Sequence, residues 1–550
     1  MKNPVRNFFL RHWLFWITLL GFTLLLARNP FSERTLIANF EPYPDSFHYI
    51  LPARNLLMGK GFSMDRLGKI VPGVPPFYSL VFVPFFAILN DPRMVYVANV
   101  LLSLLSLVIF YALVRKFFSA GILQLFLCLL FVTHPILVWY PTLAMAENLQ
   151  LLLTLLGLYM LCTRPTSKKY FLGGALTISY YATKFASIPV SAVYGLVFFA
   201  KSIVHSIQEK SWKPVVLFIA GALVCLTLYL SMEYSIRQTT ELHMIANVLF
   251  PKPAQISGTA GDAPAVPDQT FFSVVYVKDH APQYLRWLTG ESLPLLWKQE
   301  VLLPRYLAVL SLVGIGIGFF DKKYRLFSLT AVGMYVATIG FMSMFYVVDA
   351  RYFYHAIPVA LLGVGIAGTK LYELAKSRSL WVGIGIAGLL LFYLMTNFSR
   401  LKFQLSLNLK YAESPWYYVS VRKVDAYLST QQFEKEPVVI SPVPPFLFDF
   451  YAKSPMIMLP LHKEQEFRNA RTQTWGEHDY TNLTAVYTKY LNQGYPVYLS
   501  TYGLGNEGFL HQARAQMEKD FRLTLVMDEC FSLCKVYKVE PLLEVSTKDN

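Results

Sequence analysis

Two acidic and two basic side chains stand out in a chain that is otherwise short of charge. Asp45 and Glu147 are carboxylates beside hydrophobic segments, and Lys184 and Arg351 are cations in similar places. A carboxylate can take the proton of a hydroxyl group as a general base. Cations can stabilise a departing phosphate as negative charge develops on it. Together these residue types suit the transfer of a group from a phosphate to a hydroxyl.

Each of these residues also has a purely structural explanation. Asp45 could cap the N-terminus of the helix that follows it, because aspartate is a preferred N-cap residue. Glu147 begins an apolar helix and could complement the helix dipole. Lys184 and Arg351 could extend their charged ends to lipid headgroups. Capping and catalysis are compatible roles, so the place of these residues in the fold decides between the explanations.

The composition indicates a membrane protein. Hydrophobic residues make up 55% of the 550 residues and charged residues only 15%, against about 25% in ordinary soluble proteins. Several apolar runs of roughly 18 residues or more indicate membrane-spanning helices. The net charge of +15 comes from basic clusters beside those runs, as the positive-inside rule describes. No recognition motif accompanies this charge, so a nucleic-acid partner is not expected.

The basic clusters also predict the orientation of the chain. Lys2, Arg6 and Arg11 precede the first apolar run, so the N-terminus is expected in the cytoplasm. This run lacks a convincing signal-peptide cleavage site and is expected to remain as a helix. Keeping nearly every later cluster on the cytoplasmic side gives about eleven spans, at residues 13–27, 96–114, 121–139, 145–161, 170–182, 187–199, 215–232, 306–320, 326–346, 353–371 and 380–397.

Two segments before the second span are predicted to lie at the outer membrane interface. The first is an amphipathic helix that starts at Asp45 and ends at one of the two glycines in residues 59–61, because glycine commonly ends a helix. The second is the apolar run 75–89, which is short for a span. If this run crossed the membrane, Arg115 and Lys116 would lie outside, against the usual bias.

The fold class is predicted as an α-helical polytopic membrane protein with a C-terminal soluble α/β domain. Residues 1–400 form the transmembrane domain, with outer loops 28–95 and 233–300, and residues 401–550 form the extracytoplasmic domain. In the second domain a helix is predicted to stop at Gly494. Short apolar strands are predicted there, at residues 437–440, 456–459, 497–499 and 523–526.

One outer segment and one pair of cysteines leave alternatives open. Residues 253–267 are rich in Gly, Ala and Pro, and a loop as long as the one that contains them is usually functional or disordered. The segment is either a lid over a site or a solvated connector. Cys530 and Cys534 are close in sequence, and a disulfide is permitted if their domain lies outside the membrane. A metal pair would need two further ligands.

The predicted topology brings the informative polar residues to the outer face. Asp45 and Glu147 are the candidate catalytic residues. For His48 and His355, hydrogen-bonded packing is the alternative role. The residues of a metal site are not defined by the sequence. The candidate substrate contacts are Glu41, His48, Tyr49, Lys60, Lys69, Lys184, Arg351, Tyr352 and His355.

Five short motifs follow one another in an order that is found in a known superfamily. They are Pro44-Asp45 at a helix start and the runs Leu57–Phe62, Val74–Tyr78, Ala146–Leu152 and Arg351–Pro358. With this order and topology, the chain resembles the GT-C glycosyltransferases, in particular the protein O-mannosyltransferases and the lipid A aminoarabinose transferases. The resemblance covers roughly the transmembrane domain, whereas the C-terminal domain is similar only in kind.

The resemblance implies that a polyprenyl-phosphate monosaccharide donates the sugar at the outer face and that the transfer inverts the anomeric centre. It implies that Asp45 is the base for the acceptor hydroxyl. Glu147 would position the acceptor, or a divalent cation if one is used. Lys184 and Arg351 would hold the donor phosphate and favour its departure.

The chain departs from the family pattern at two places. Family members usually carry an acidic pair in the first outer loop, but the residue after Asp45 is a serine. The second acid would therefore be Glu41 or Glu147. A basic residue often precedes the proline-rich run, but residues 73–74 are uncharged, so Lys69 would take that role.

Two other classes of function compete with a transferase. A transporter or flippase of lipid-linked sugars is the main alternative, and a structural or assembly protein is the other. A transporter is expected to have ionisable residues near the bilayer midplane and related halves, whereas the charges here lie mainly at span ends. A bacterial inner membrane or a plasma membrane is the expected location. The sugar, the acceptor (a lipid, a glycan or a protein) and the need for a divalent cation stay open.

Overall fold

The computed structural model describes residues 12–26, 45–63, 72, 74–91, 94–237, 272–295, 298–374, 379–410, 416–443, 448, 451–462, 482–501, 508–529 and 534–542. Helices dominate it, and a small sheet lies near the C-terminus. Features of the sequence analysis that lie outside the described residues are Glu41, Lys69, the segment 253–267, Cys530 and the side chains of Asp45 and Cys534.

Most of the described chain up to residue 410 is helical. Short 3-10 turns interrupt it at Tyr140–Thr142, Phe185–Ser187, Val274–Tyr276 and Ala350–Phe353. The helices are α1 Trp13–Leu26, α2 Asp45–Leu57, α3 Phe77–Ile88, α4 Met94–Phe117, α5 Gly121–Val132, α6 Pro135–Trp139, α7 Glu147–Cys162, α8 Ser167–Tyr181, α9 Ile188–Glu209, α10 Lys213–Arg237, α11 Val277–Leu288, α12 Arg305–Gly318, α13 Arg325–Met342, α14 Ala356–Leu374 and α15 Ser379–Lys410.

The length and composition of the helices confirm the predicted membrane fold. Several apolar helices are shorter, with 10–17 residues, and α3 is one of them although the sequence places it at the interface. Helix α8, which the sequence predicts as a span, is not among them. The number of spans therefore stays a prediction. Within the described ranges, five helical stretches are long and apolar enough to cross a membrane, at Met94–Phe117, Phe185–Glu209, Lys213–Ile236, Arg325–Met342 and Ala356–Leu374.

The helix predicted to begin at Asp45 forms as expected. It runs to Leu57 with Pro52 inside it. Gly59 and Gly61 follow with φ of 71° and 75°, a left-handed backbone that glycine adopts without steric cost. The glycines therefore end the helix and turn the chain, as the sequence predicts.

The predicted span 121–139 is wrong as a single helix. The structure ends α5 at Val132 and begins α6 at Pro135, and His134 between them has an extended backbone with φ −68° and ψ 121°. Proline lacks a backbone N–H and disfavours helical backbone in the residue before it. The break places His134 Nε2 2.7 Å from the carbonyl oxygen of Leu302, which ties this turn to the segment before α12.

Consecutive helices run up and down, so their connections gather at two ends of the bundle. The turn before α7, the loop between α8 and α9 and the turn before α14 share one end, which we call the site end. The opposite end, the basic end, carries Arg115 and Lys116 in the last turn of α4, Arg164 between α7 and α8, and Lys322 and Lys323 between α12 and α13. There the Tyr324 hydroxyl donates to the Phe117 carbonyl over 3.1 Å, and Lys370 lies 2.7 Å from Asp321.

Glycines allow the closest helix contacts. A Cβ at Gly314 of α12 would lie 2.0 Å from the carbonyl oxygen of Gly363 in α14. A Cβ at Gly221 of α10 would lie 1.9 Å from the carbonyl oxygen of Phe171 in α8. Small residues at such positions let helix backbones approach each other in a membrane protein. These contacts fix α8 and α14, whose ends carry candidate site residues.

The outer segment 233–300 is folded where it is described. It contains α11 and an antiparallel hairpin of β1 Ser292–Leu295 and β2 Lys298–Val301. The backbone N–H of Ser273 donates to the carbonyl of Met344 over 2.7 Å. The segment therefore packs on the loop that follows α13 rather than running freely.

The C-terminal residues form the predicted α/β domain. The sheet has the order β4-β3-β5-β7-β6, in which β3 pairs in parallel with β4 and β5, and β7 pairs in antiparallel fashion with β5 and β6. Gly494 has φ 75° after the second helix and ends it as predicted. The elements are α16 Trp416–Ser429, β3 Val438–Ser441, β4 Ile457–Pro460, α17 Leu483–Asn492, β5 Val497–Ser500, α18 Gly508–Asp520, β6 Phe521–Glu529 and β7 Cys534–Pro541.

Replacing Gly314 by leucine is expected to destabilise the bundle. The new side chain would push α12 away from α14, and overpacking costs about 1–3 kcal/mol even where neighbours relax. Gly316 in the same helix has open space where its Cβ would be, so Gly316→Leu is the matched control. In detergent, Gly314→Leu should melt at a lower temperature than Gly316→Leu, and equal melting temperatures would contradict the close contact.

Candidate active site

Glu147 and Lys184 form a buried ion pair at the site end. Lys184 Nζ lies 2.6 Å from Glu147 Oε1, and the two side chains are 5% and 0% exposed. Glu147 is the first residue of α7, and Lys184 precedes the 3-10 turn between α8 and α9. A charge taken out of water is costly unless it is paired and hydrogen-bonded. The pair therefore compensates two charges that the apolar surroundings would otherwise exclude.

Arg351 and Asp349 form a second charged pair in the turn before α14. Arg351 Nε lies 3.3 Å from Asp349 Oδ2. The backbone N–H of Arg351 donates to Asp349 Oδ1 over 2.8 Å, so Asp349 caps the 3-10 turn. The backbone N–H of Asp349 in turn donates to the Tyr284 hydroxyl of α11 over 3.4 Å. The outer segment thereby holds this turn in place.

Tyr352 joins the two charged pairs. Lys184 Nζ lies 5.9 Å from the centroid of the Tyr352 ring, and Arg351 Cζ lies 5.2 Å from it. Both distances are within the range of cation–π contacts. Arg351 Nη2 also donates to the Tyr352 hydroxyl over 3.3 Å. Two cations from different parts of the chain therefore share one ring, an arrangement suited to an anion that contacts both.

Tyr140 brings a neutral hydroxyl to the same charges. It is fully buried in the 3-10 turn before α7. Burial, and then the charges of Glu147 and Asp349, raise the pKa of Tyr140 well above its ordinary value. Among the described residues, neither Tyr140 Oη nor Glu147 Oε2 has a hydrogen-bond partner, and buried polar atoms without partners are rare. These two atoms are therefore suited to contact a substrate.

Asparagine side chains fix the turn that carries Tyr140. The Tyr78 hydroxyl of α3 donates to Asn99 Oδ1 of α4 over 2.8 Å, and Asn99 Nδ2 donates to the carbonyl of Leu143 over 2.7 Å. Asn148 Nδ2 donates to the carbonyl of Tyr140 over 3.1 Å. Buried hydrogen bonds of this kind restrict the local structure that they connect. The turn before α7 is thus held from α3, α4 and α7 together.

The helix that begins at Asp45 packs against the same turn. Ser46 Oγ lies 4.0 Å from the sulfur of Met145, shortly before α7 begins. The Tyr49 ring meets the Tyr78 ring edge-on, with 5.1 Å between centroids. The N-terminus of α2 therefore lies beside the N-terminus of α7, which brings the backbone of Asp45 toward the charged cluster.

The remaining described candidates are His355, His48 and Lys60, and their roles stay predictions. His355 is buried, stacks on Phe353 with 5.9 Å between ring centroids, and has Nε2 3.3 Å from Thr338 Oγ1. His48 is half-buried in α2, and Lys60 lies in the turn after that helix.

Within the described ranges, no three His, Cys, Asp or Glu side chains come together in an arrangement that would hold a metal ion. The sequence candidates Glu41 and Lys69 lie outside those ranges.

Solved structures show which fold carries this cluster. ArnT from Cupriavidus metallidurans bound to undecaprenyl phosphate matches with a TM-score of 0.61, over 96% of this chain and 97% of its own, at 12% sequence identity. The apo state of the same protein gives a TM-score of 0.60 over 98% of each chain, again at 12% identity. The chain has the GT-C fold. This confirms the fold that the resemblance of the five short motifs implies.

The GT-C match extends beyond the transmembrane helices. Because it covers nearly the whole of both chains, it includes the C-terminal α/β domain. The oligosaccharyltransferase of Archaeoglobus fulgidus in the apo form gives a TM-score of 0.46, over 94% of this chain and 73% of its own, at 12% identity. No family model and no curated protein sequence matches the chain.

Removing Lys184 is expected to destabilise the protein strongly. Lys184→Met leaves the Glu147 carboxylate buried without its cation, which costs about 3–5 kcal/mol. The double variant Glu147→Gln/Lys184→Met removes both charges and should recover most of that loss. Melting temperatures in detergent provide the measurement. If the double variant is no more stable than Lys184→Met, the buried pair is not the source of the effect.

Proposed function

We propose that the chain is a glycosyltransferase that moves a monosaccharide from a polyprenyl-phosphate donor to an acceptor hydroxyl. One observation carries this proposal: two carboxylates and two cations meet in a buried cluster at one end of a GT-C fold. The ArnT structure with this fold was solved with undecaprenyl phosphate. That molecule belongs to the chemical class of the proposed leaving group.

The donor phosphate is proposed to bind Lys184 and Arg351 beside the Tyr352 ring. An arginine guanidinium can hold two phosphate oxygens at once, whereas a lysine acts as a point charge. Both cations are now paired with carboxylates. A phosphate that takes their place keeps the buried cations compensated. As the bond between sugar and phosphate breaks, the cations stabilise the growing negative charge.

The acceptor is proposed to bind between Asp45 and Glu147. Its hydroxyl oxygen attacks the anomeric carbon from the side opposite to the phosphate, and Asp45 takes the hydroxyl proton. The bond between the anomeric carbon and the phosphate oxygen breaks, and the polyprenyl phosphate leaves with the bonding electron pair. One displacement of this kind inverts the anomeric centre. Glu147, released from Lys184, accepts a hydrogen bond from the acceptor, and the Tyr140 hydroxyl donates one.

The other candidate contacts are proposed to shape the pocket around the two substrates. His355 would act through hydrogen bonds of its ring nitrogens, one of which lies 3.3 Å from Thr338 Oγ1. The acceptor is a hydroxyl of a lipid, a glycan or a protein. The residues proposed for these contacts are Glu41, His48, Tyr49, Lys60, Lys69 and Tyr352.

The site end is proposed to face away from the cytoplasm. The chain is an integral membrane protein, and its basic end carries Arg115, Lys116, Lys322 and Lys323. Cytoplasmic loops of membrane proteins have an excess of such residues. The N-terminus would then be cytoplasmic and the C-terminal domain extracytoplasmic, in a bacterial inner membrane or a plasma membrane.

A transfer assay separates this proposal from a transporter or flippase. Transporter charges are expected near the bilayer midplane, whereas Glu147 and Arg351 lie at helix ends on one side of the bundle. Purified protein in liposomes would be given a panel of labelled polyprenyl-phosphate sugars, with and without chelator. Label in an acceptor and release of polyprenyl phosphate would support a transferase. Movement of intact donor across the bilayer without release would overturn it.

Asp45→Asn is expected to lower the rate of transfer by about 10²–10⁴-fold, the usual contribution of a general base. Binding of undecaprenyl phosphate should be retained, because the proposed phosphate contacts are intact. Asp279→Asn, at an exposed acid in the first turn of α11, is the matched control. A correctly inserted Asp45→Asn protein with a normal transfer rate would refute the role of the base.

Arg351→Lys is expected to raise the KM for the donor by about 10- to 100-fold, because a hydrogen bond to a charged group contributes roughly 1.5–3 kcal/mol. The lysine keeps the charge but loses the planar donor fork. Arg286→Lys, at an exposed arginine in the last turn of α11, serves as the control. An unchanged dependence of the rate on donor concentration would argue against a phosphate contact.

A further inference from the structure

The C-terminal domain touches the helix that begins at Asp45. Phe47 lies in the first turn of α2 and is 2% exposed. Its ring meets the ring of Tyr451 edge-on, with centroids 6.3 Å apart and an interplanar angle of 88°. Tyr451 lies between β3 and β4 of the C-terminal domain and is also buried. A residue of the soluble domain therefore packs against the first turn of the helix that carries the proposed base.

Tyr451 is held by a buried carboxylate. Asp425 of α16 is 4% exposed, and its carboxylate accepts hydrogen bonds from the backbone N–H groups of Lys453 at 3.1 Å and Ser454 at 2.9 Å. Arg422 Nη1 donates to Asp425 over 3.1 Å and to the carbonyl of Tyr451 over 3.4 Å. The chain from Tyr451 to Ser454 is thus fixed to α16 by charge-assisted hydrogen bonds, which are stronger than neutral ones.

The same face of the C-terminal domain joins the core of the membrane domain. The opposite face of the sheet has a separate core with α17 and α18. The residues of the first face that share one continuous apolar core with Phe47 and Tyr451 include Val421, Val424, Val439 and Met458. The domain is therefore docked by the face that presents Tyr451.

The first turn of a helix depends on contacts with other parts of the protein. Its leading backbone N–H groups have no partners within the helix, so other parts of the protein must hold it. In the first turn of α2, Ser46 contacts Met145 and Phe47 contacts Tyr451. A shift of about 1 Å in a group that takes part in catalysis can cost about 100-fold in rate.

We infer that the C-terminal domain positions the first turn of α2 through the contact of Tyr451 with Phe47. Tyr451 is a positioning residue and touches no substrate. Its consequence for catalysis rests on the proposed role of Asp45 as the base. The domain thereby acts as part of the catalytic frame and not only as an attached module.

Hydrogen exchange in the full-length protein tests the positioning directly. Tyr451→Ala removes the contact, Tyr451→Leu removes the ring but fills the space, and Tyr451→Phe keeps the ring. Tyr495→Ala removes a ring from the α17 side of the domain, where Tyr495 packs on Tyr490. Backbone amides in the first two turns of α2 should exchange faster in the alanine and leucine variants. They should be unchanged in Tyr451→Phe and Tyr495→Ala.

Kinetics of the same variants test the catalytic consequence. We expect kcat for sugar transfer to fall by about 10- to 100-fold in Tyr451→Ala and Tyr451→Leu, with the KM for the donor changed by less than about twofold, because only the position of the base is disturbed. Tyr451→Phe should restore kcat. Tyr495→Ala should behave like the unmodified protein, which excludes general damage to the domain.

The two readouts separate the possible failures. Unchanged exchange in α2 of Tyr451→Ala and Tyr451→Leu would overturn the inference, whatever the activity. Faster exchange with unchanged kcat would overturn the catalytic consequence. If the unmodified protein transfers no sugar at all, the proposed function fails, and the exchange of α2 alone decides whether the C-terminal domain positions this helix.

Discussion

A carboxylate and an ammonium group that are both shielded from water must remain paired, and this constraint organises the site end. Glu147 begins α7 and Lys184 follows α8, so their pairing fixes one helix against another. Tyr352 extends the constraint to Arg351 by sharing its ring with both cations. A ligand that takes one partner must provide a replacement for the other, since an unpaired buried charge is costly. A phosphate would replace the carboxylate at Lys184, and hydrogen bonds from the acceptor hydroxyl and Tyr140 would compensate Glu147 in part, which would couple the binding of donor and acceptor.

The helices supply a rigid frame for this exchange of partners. Glycines bring α8 against α10 and α12 against α14 at backbone contact, so the loops at the site end have fixed starting points. The outer segment adds Tyr284 behind Asp349, and the C-terminal domain adds Tyr451 behind Phe47. Parts of the chain on three sides thus hold a cluster whose members come from distant positions in the sequence.

Local chemistry made part of the fold and part of the candidate site predictable from the sequence. Glycines after α2 end that helix whatever packs around it, and charge bias placed Glu147 and Arg351 on one side. The break before Pro135 also follows from a local rule, because proline disfavours helical backbone in the residue before it. The length of the apolar run nevertheless favoured the prediction of one uninterrupted span. The contribution of Tyr140 was not predictable, because an isolated tyrosine in a short turn is common. Its proposed role depends on Glu147 Oε2, which has no hydrogen-bond partner among the residues that the structure describes. Only the folded chain shows this.

In the proposed reaction, a lipid phosphate displaces Glu147 from Lys184. A cryo-electron microscopy structure of the protein with undecaprenyl phosphate would test this most directly. We predict a phosphate within hydrogen-bond distance of Lys184 and Arg351, beside the Tyr352 ring, with Lys184 Nζ moved away from Glu147 Oε1 beyond the present 2.6 Å. A phosphate bound elsewhere while the Glu147–Lys184 pair stays intact would contradict the claim.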